Sequence, residues 1–230
     1  MKIQSDLLKN DVPSENQIEE SDSVKFRLSA DADLKVLFLG NSITRHGAKP
    51  DIGWYGDHGM AASRAENDYV HRLVSMLERD GKKVSYCVCN LSAWESSWND
   101  ELLEKNYRAA RDFGADVAVV RLGENAGLLD RADEFIPHYK RLIEYFAVRA
   151  EHIVVTDLFW EYEPFDAAVG ALAENNGYAF AQIHDLGNLD EMKAIGEFEH
   201  AGVAAHPSDK GMNAIAERIY SALKNSIQTE

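Results

Sequence analysis

A buried strand and a helix alternate five times along this chain, and that alternation limits the folds open to it. The run LKVLFLG begins at Leu34 and stops at Gly40, where a polar, glycine-containing stretch leads into helical spacing around residues 69–77. The unit recurs with strand candidates at 84–88, 117–122, 153–158 and 180–183. Helices are expected at 66–80, 99–113, 132–149, 166–176 and 209–223. DGKK after Leu77 and ENNGY before Phe180 read as glycine helix stops. Strands separated by helices imply a parallel sheet covered on both faces. The expected fold class is therefore α/β, a three-layer α/β/α sandwich around a parallel sheet of about five strands.

At 230 residues, 45% of them apolar, the chain suits one domain with a sizeable core, expected from 34 to 230. Residues 1–33 are polar and acid-rich. They form an extension expected to be partly ordered, because at 24–28 Val, Phe and Leu alternate with Lys and Arg as in an edge strand. A formal charge of -15, with no run of Lys and Arg to reverse it locally, argues against nucleic acid and anionic membranes as partners. No segment has the length and apolarity to span a bilayer, and the N-terminus lacks the roughly 7–15 apolar residues of a secretory h-region. A cytoplasmic placement is expected, or a secreted one if a leader has been removed. Cys87 and Cys89 lie two apart in a strand, a poor spacing for a disulfide, and read as packed thiols. The eight histidines show neither H-x-x-x-H nor H-E-x-x-H, the cysteines form no C-x-x-C, and G-x-x-x-x-G-K-[ST] is absent. No metal and no other cofactor is expected, and the oligomeric state stays open.

Ligands of open parallel sheets sit beyond the carboxyl ends of the strands. The segments there are GNSITRHG, NLSAWESSW, GENAG and DLFWEYE, and HPSDKG precedes the last helix. Ser42 stands where a hydroxyl can face the cleft, although a strand-end serine is more often a helix cap or a turn residue. His206 lies in a loop stiffened by Pro207 and would be a general base if it met Ser42. Asn125 offers an amide donor for a developing oxyanion, or simply a turn after Gly123.

Taken together, these segments resemble the sequence blocks of the GDSL/SGNH hydrolases. GNSIT resembles the first block, NLSAWESS the second, GEN the G-x-N of the third and HPSDKGM the histidine block; the resemblance spans residues 34–223. GNSITRHG followed by IGWYGDHGMAAS is similar to a bacterial branch of GDSL-like acylhydrolases. The resemblance implies a flavodoxin-like sheet, Ser42 as nucleophile and His206 as base. It also implies an oxyanion hole from the amide of Ser42, the second-block amide and Asn125. Two positions depart from the pattern. Glu95 replaces the second-block glycine, so only its backbone amide would serve. Val203 replaces the aspartate expected three residues before the histidine, leaving a backbone carbonyl, or a displaced acid such as Glu199 or Asp185, to orient His206.

Trp54, Trp94, Trp98 and Trp160 all fall in segments after strands, and none lies in a helix expected above. With Tyr55 and Tyr162 they would edge a cleft suited to stacking on a sugar ring, or else pack loops onto the core. Asp57, His58, Glu124 and Glu161 would bind hydroxyls or stay solvated. The expected activity is hydrolysis of short acyl esters, with O-acetyl groups on carbohydrate first among the small-molecule substrates. The alternative is a carbohydrate-binding or regulatory protein on the same fold with weakened catalysis.

Overall fold

The computed structural model describes residues 22–128 and 131–228; residues 1–21 of the expected extension lie outside them. Strand β2, Leu34–Gly40, shows why the sheet is covered on both sides. Its side chains alternate, so Leu37 and Leu39 join one apolar cluster while Val36 and Phe38 join another. β3 (Val84–Asn90) repeats the division, with Cys87 and Cys89 on one face and Val84, Tyr86 and Val88 on the other. β4 (Val117–Arg121), β5 (His152–Thr156) and the short β6 (Ala179–Ala181) complete five parallel strands.

A sixth strand, β1 (Val24–Arg27), pairs antiparallel with β3 from Val24 opposite Cys89 to Arg27 opposite Tyr86. The order is β1-β3-β2-β4-β5-β6, a flavodoxin-like 2-1-3-4-5 arrangement with one strand added at the edge. The sheet therefore exceeds the expected five strands because the alternation at 24–28 closes the open side of β3. β1 is only four residues long and carries Lys25 and Arg27, features that keep an exposed edge from pairing further.

Helix α1, Tyr69–Arg79, buries Tyr69, Val70, Leu73, Val74 and Leu77, the three- and four-residue spacing of one helical face. It starts where Asp68 accepts a hydrogen bond from the His71 amide at 2.8 Å. α1 and the last helix, α7 (Asp209–Gln228), cover one face of the sheet. Across the sheet lie α3 (Glu101–Asp112), α4 (Ala132–Phe146) and α5 (Glu163–Asn176). Two short helices, α2 (Ser92–Ser97) and α6 (Ala201–Ala204), sit near the carboxyl ends of the strands. Cys87 and Cys89 are free and buried, as packed thiols. No helix among the described residues is long and apolar enough to cross a membrane.

Register brings the chemistry together. Gly40 stands opposite Asn90 on one side and Arg121 on the other, so β2, β3 and β4 finish level and release their following segments at one place. Gly40 itself leaves room for the turn: a Cβ there would lie 1.7 Å from Thr44 Oγ1.

Candidate active site

Ser42 lies just beyond β2, and His206 lies between α6 and α7. Although 164 residues apart, Ser42 Oγ and His206 Nε2 are 2.9 Å from one another. The other ring nitrogen, Nδ1, is 2.7 Å from the Gly202 carbonyl oxygen. A carbonyl only accepts, so Nδ1 carries the proton and Nε2 presents its lone pair to the serine hydroxyl. The Trp160 ring stands edge-on to the imidazole, with centroids 5.2 Å apart and planes at 86°. Burial is the chief cause that lowers the pKa of His206 to about 4; the Gly202 carbonyl offsets it in part, and His46 and Arg121 add to it. At neutral pH the imidazole is a neutral base.

Next to the serine lies a polar network that is buried except at Asn125. Arg121, at the end of β4, donates Nη1 and Nη2 to Glu124 and Nη2 to Asn41 Oδ1. Asn41 Nδ2 donates to Glu124 Oε2 at 2.7 Å and to both oxygens of Glu95 at 3.1 and 3.2 Å. The Glu95 carboxyl also receives the amides of Gly123 and Asn125, and Asn125 Nδ2 at 2.8 Å. Burial, and then the charge of Glu124, push Glu95 up to about 7. Burial also works against a charge on Glu124, yet the adjacent Arg121 guanidinium holds it below the usual carboxylate range. Gly123 is required where it stands. Its φ is 137°, and a Cβ would meet Leu158 Cδ2 at 2.6 Å.

Comparison with known proteins rests on structure, since no family model and no curated protein matches the chain. A variant of an acetyl-xylooligosaccharide esterase from Geobacillus stearothermophilus superposes with a TM-score of 0.54 at 17% identity, over 85% of this chain and 96% of that one. A protein from Parabacteroides merdae classed as a GDSL-like lipase gives 0.54 at 16% identity, over 86% and 99%. A protein from Desulfitobacterium hafniense classed as a lipolytic member of the GDSL family gives 0.51 at 14% identity, over 83% and 100%. The chain has the GDSL/SGNH hydrolase fold.

On that SGNH fold several sequence expectations need correction. The Glu95 backbone amide is no oxyanion donor: it lies within α2 and donates to the Leu91 carbonyl at 2.8 Å, leaving only the side chain to act. Neither displaced acid reaches the histidine. Asp185 is exposed and bound by the Arg218 guanidinium, and Glu199 is exposed. Val203 packs instead into an apolar cluster with Trp54, Met60, Ala61 and Ala194.

The aromatic platform is not formed as expected. Trp54 is buried in that cluster, its Nε1 donating to the His46 carbonyl at 3.1 Å. Trp94 lies inside α2 and is fully buried, its Nε1 donating to Asp100 Oδ1 at 3.1 Å. Trp98 caps α2 in the left-handed conformation, with the Arg131 guanidinium 4.3 Å from its ring centroid. Of the four, Trp160 alone packs on the histidine. Glu124 is buried and ion-paired rather than solvated, whereas Asp57 pairs with Arg45 at 2.6 Å and Glu161 accepts from Asn188 at 2.8 Å. Sequence reading missed Asn41 and Arg121 altogether. Their signal was position: a polar residue at the end of an apolar strand and an arginine in a buried one.

Proposed function

We propose that this chain is a serine carboxylic ester hydrolase working with a carbonyl-supported Ser42–His206 dyad on short acyl esters. The observation that carries the proposal is the 2.9 Å approach of Ser42 Oγ to a histidine whose tautomer is set from behind by the Gly202 carbonyl. Nε2 takes the hydroxyl proton as Oγ attacks the acyl carbon. The oxyanion then gathers donors from the Ser42 amide and the Asn125 side chain. Nε2–H returns the proton to the leaving alcohol, and water, activated by the same nitrogen, releases the acid and restores the serine.

Ser42 is only 7% exposed, which supports a small acyl group over a long chain. The fold shared with an esterase of acetylated xylooligosaccharides supports assaying O-acetyl sugars first. The buried tryptophans lend that choice no support.

The test is hydrolysis of p-nitrophenyl acetate, butyrate and octanoate by wild type beside Ser42→Ala and His206→Ala. The expected outcome is activity on acetate, falling towards octanoate, with losses on the order of 10³-fold or more in both variants. Equal rates in wild type and Ser42→Ala would overturn the proposal and favour a binding protein on this fold.

A further inference from the structure

The structure assigns to the Glu95 side chain a positioning role in ester hydrolysis: it holds the Asn125 oxyanion donor and the residue before the nucleophile in one rigid frame. The inference rests on the proposed serine chemistry and adds a residue to it. Two chain segments, the nucleophile turn and the stretch after β4, end on this one carboxyl group. Asn41 reaches it from the nucleophile turn; from the stretch after β4 come the Gly123 amide and both the backbone and side-chain amides of Asn125. Every partner is an N–H donor. A carboxylate accepts from all of them, whereas a protonated acid would turn one donor of its own towards them. The frame is therefore made by the ionised form.

The arrangement suits its place. A side-chain amide carries two N–H bonds, and anchoring one of them to Glu95 Oε2 at 2.8 Å fixes the plane in which the other lies. An oxyanion donor helps only when it is aimed before charge develops, so the loss of its anchor is felt in the transition state more than in substrate binding. Glu95 is itself fully buried within α2; it acts through Asn125.

Other charged and titratable groups face the same carboxyl. Arg121 comes from β4, Glu124 from the segment after it and Tyr139 from α4. Glu124 opposes ionisation of Glu95 and Arg121 favours it. The balance leaves the frame sensitive to pH near neutrality, because burial places Glu95 at about 7.

A double-mutant cycle on p-nitrophenyl acetate hydrolysis, with Glu95→Gln, Asn125→Ala and the double variant, tests the assignment. Each single change is expected to lower kcat about 10²-fold with KM changed less than about threefold, and Glu95→Gln to cost little more once Asn125 is gone. Additive losses across the cycle would overturn it, as would a Glu95→Gln enzyme with unchanged kcat. A second measurement needs no change at Glu95. The wild-type kcat is expected to fall partly as pH drops through about 7, a step absent from Asn125→Ala; the same step in both enzymes would also overturn the assignment. If Ser42→Ala matches wild type, the serine chemistry itself fails. If wild type exceeds Ser42→Ala while the cycle is additive, only the role of Glu95 fails.

Discussion

His206 rests its Nδ1 on the Gly202 carbonyl, which selects the tautomer but contributes no charge when the imidazolium forms. Burial adds to that cost and keeps the ring neutral down to about pH 4. Because Nε2 must be unprotonated to accept the Ser42 proton, complete loss of kcat/KM on p-nitrophenyl acetate is expected near pH 4, below the partial step ascribed to Glu95. A full loss centred at 6.5, the ordinary range of histidine, would contradict this reading of the site. Ser42, His206 and Asn125 were legible in sequence as candidates because their chemistry is written in their side chains and in the blocks that hold them. The Gly202 carbonyl was not legible, since every residue has one. Nor was the use of Glu95, for the sequence shows an acid in place of a glycine but not that the helix takes its amide and turns its carboxyl inward.

At the scale of elements, strands and helices were readable wherever their apolar period was long. The pattern of α1 and the buried runs of β2 and β4 match the structure because one face, or two, must leave water. α2 was missed because six residues are too few to show a helical period, and its serines and tryptophan read as loop. The segment after β4 is tightly constrained at its start. Gly123 combines a backbone conformation costly to L side chains with contact against Leu158 and Phe165. Gly123→Ala is expected to destabilise the fold by about 2–4 kcal/mol in urea titration and to depress esterase activity beyond the loss of folded protein. Unchanged stability would mean that the loop yields more readily than its packing implies.

Across the whole molecule, His46 and the two raised carboxyls, Glu95 and Asp166, pull stability in opposite directions as pH changes. His46, 4% exposed and lowered to about 4 chiefly by burial, stays neutral in the fold while its unfolded counterpart protonates near 6.5. The unfolded chain thus binds the extra proton between those values, and the contribution of His46 to stability is lost as pH falls from 6.5 to 4. Glu95 and Asp166, both raised to about 7 with burial the largest cause, have the reverse sign in the acid range. His46→Gln is therefore expected to gain stability relative to wild type on acidification, by up to about 1.4 kcal/mol per pH unit, measured as the difference in Tm across that range. A constant difference would show that His46 titrates alike folded and unfolded.

Val203 carries a consequence for anyone wishing to build a full triad on the proposed dyad. It occupies the place an acid would take, but it is also a wall of the apolar nest around Trp54, 1% exposed. Introducing aspartate there would strand a charge in a hydrocarbon lining before the histidine gained by it. In the language of fitness landscapes, the dyad and a full triad stand on separate peaks. The valley between them is crossed only by changing the nest and the acid together.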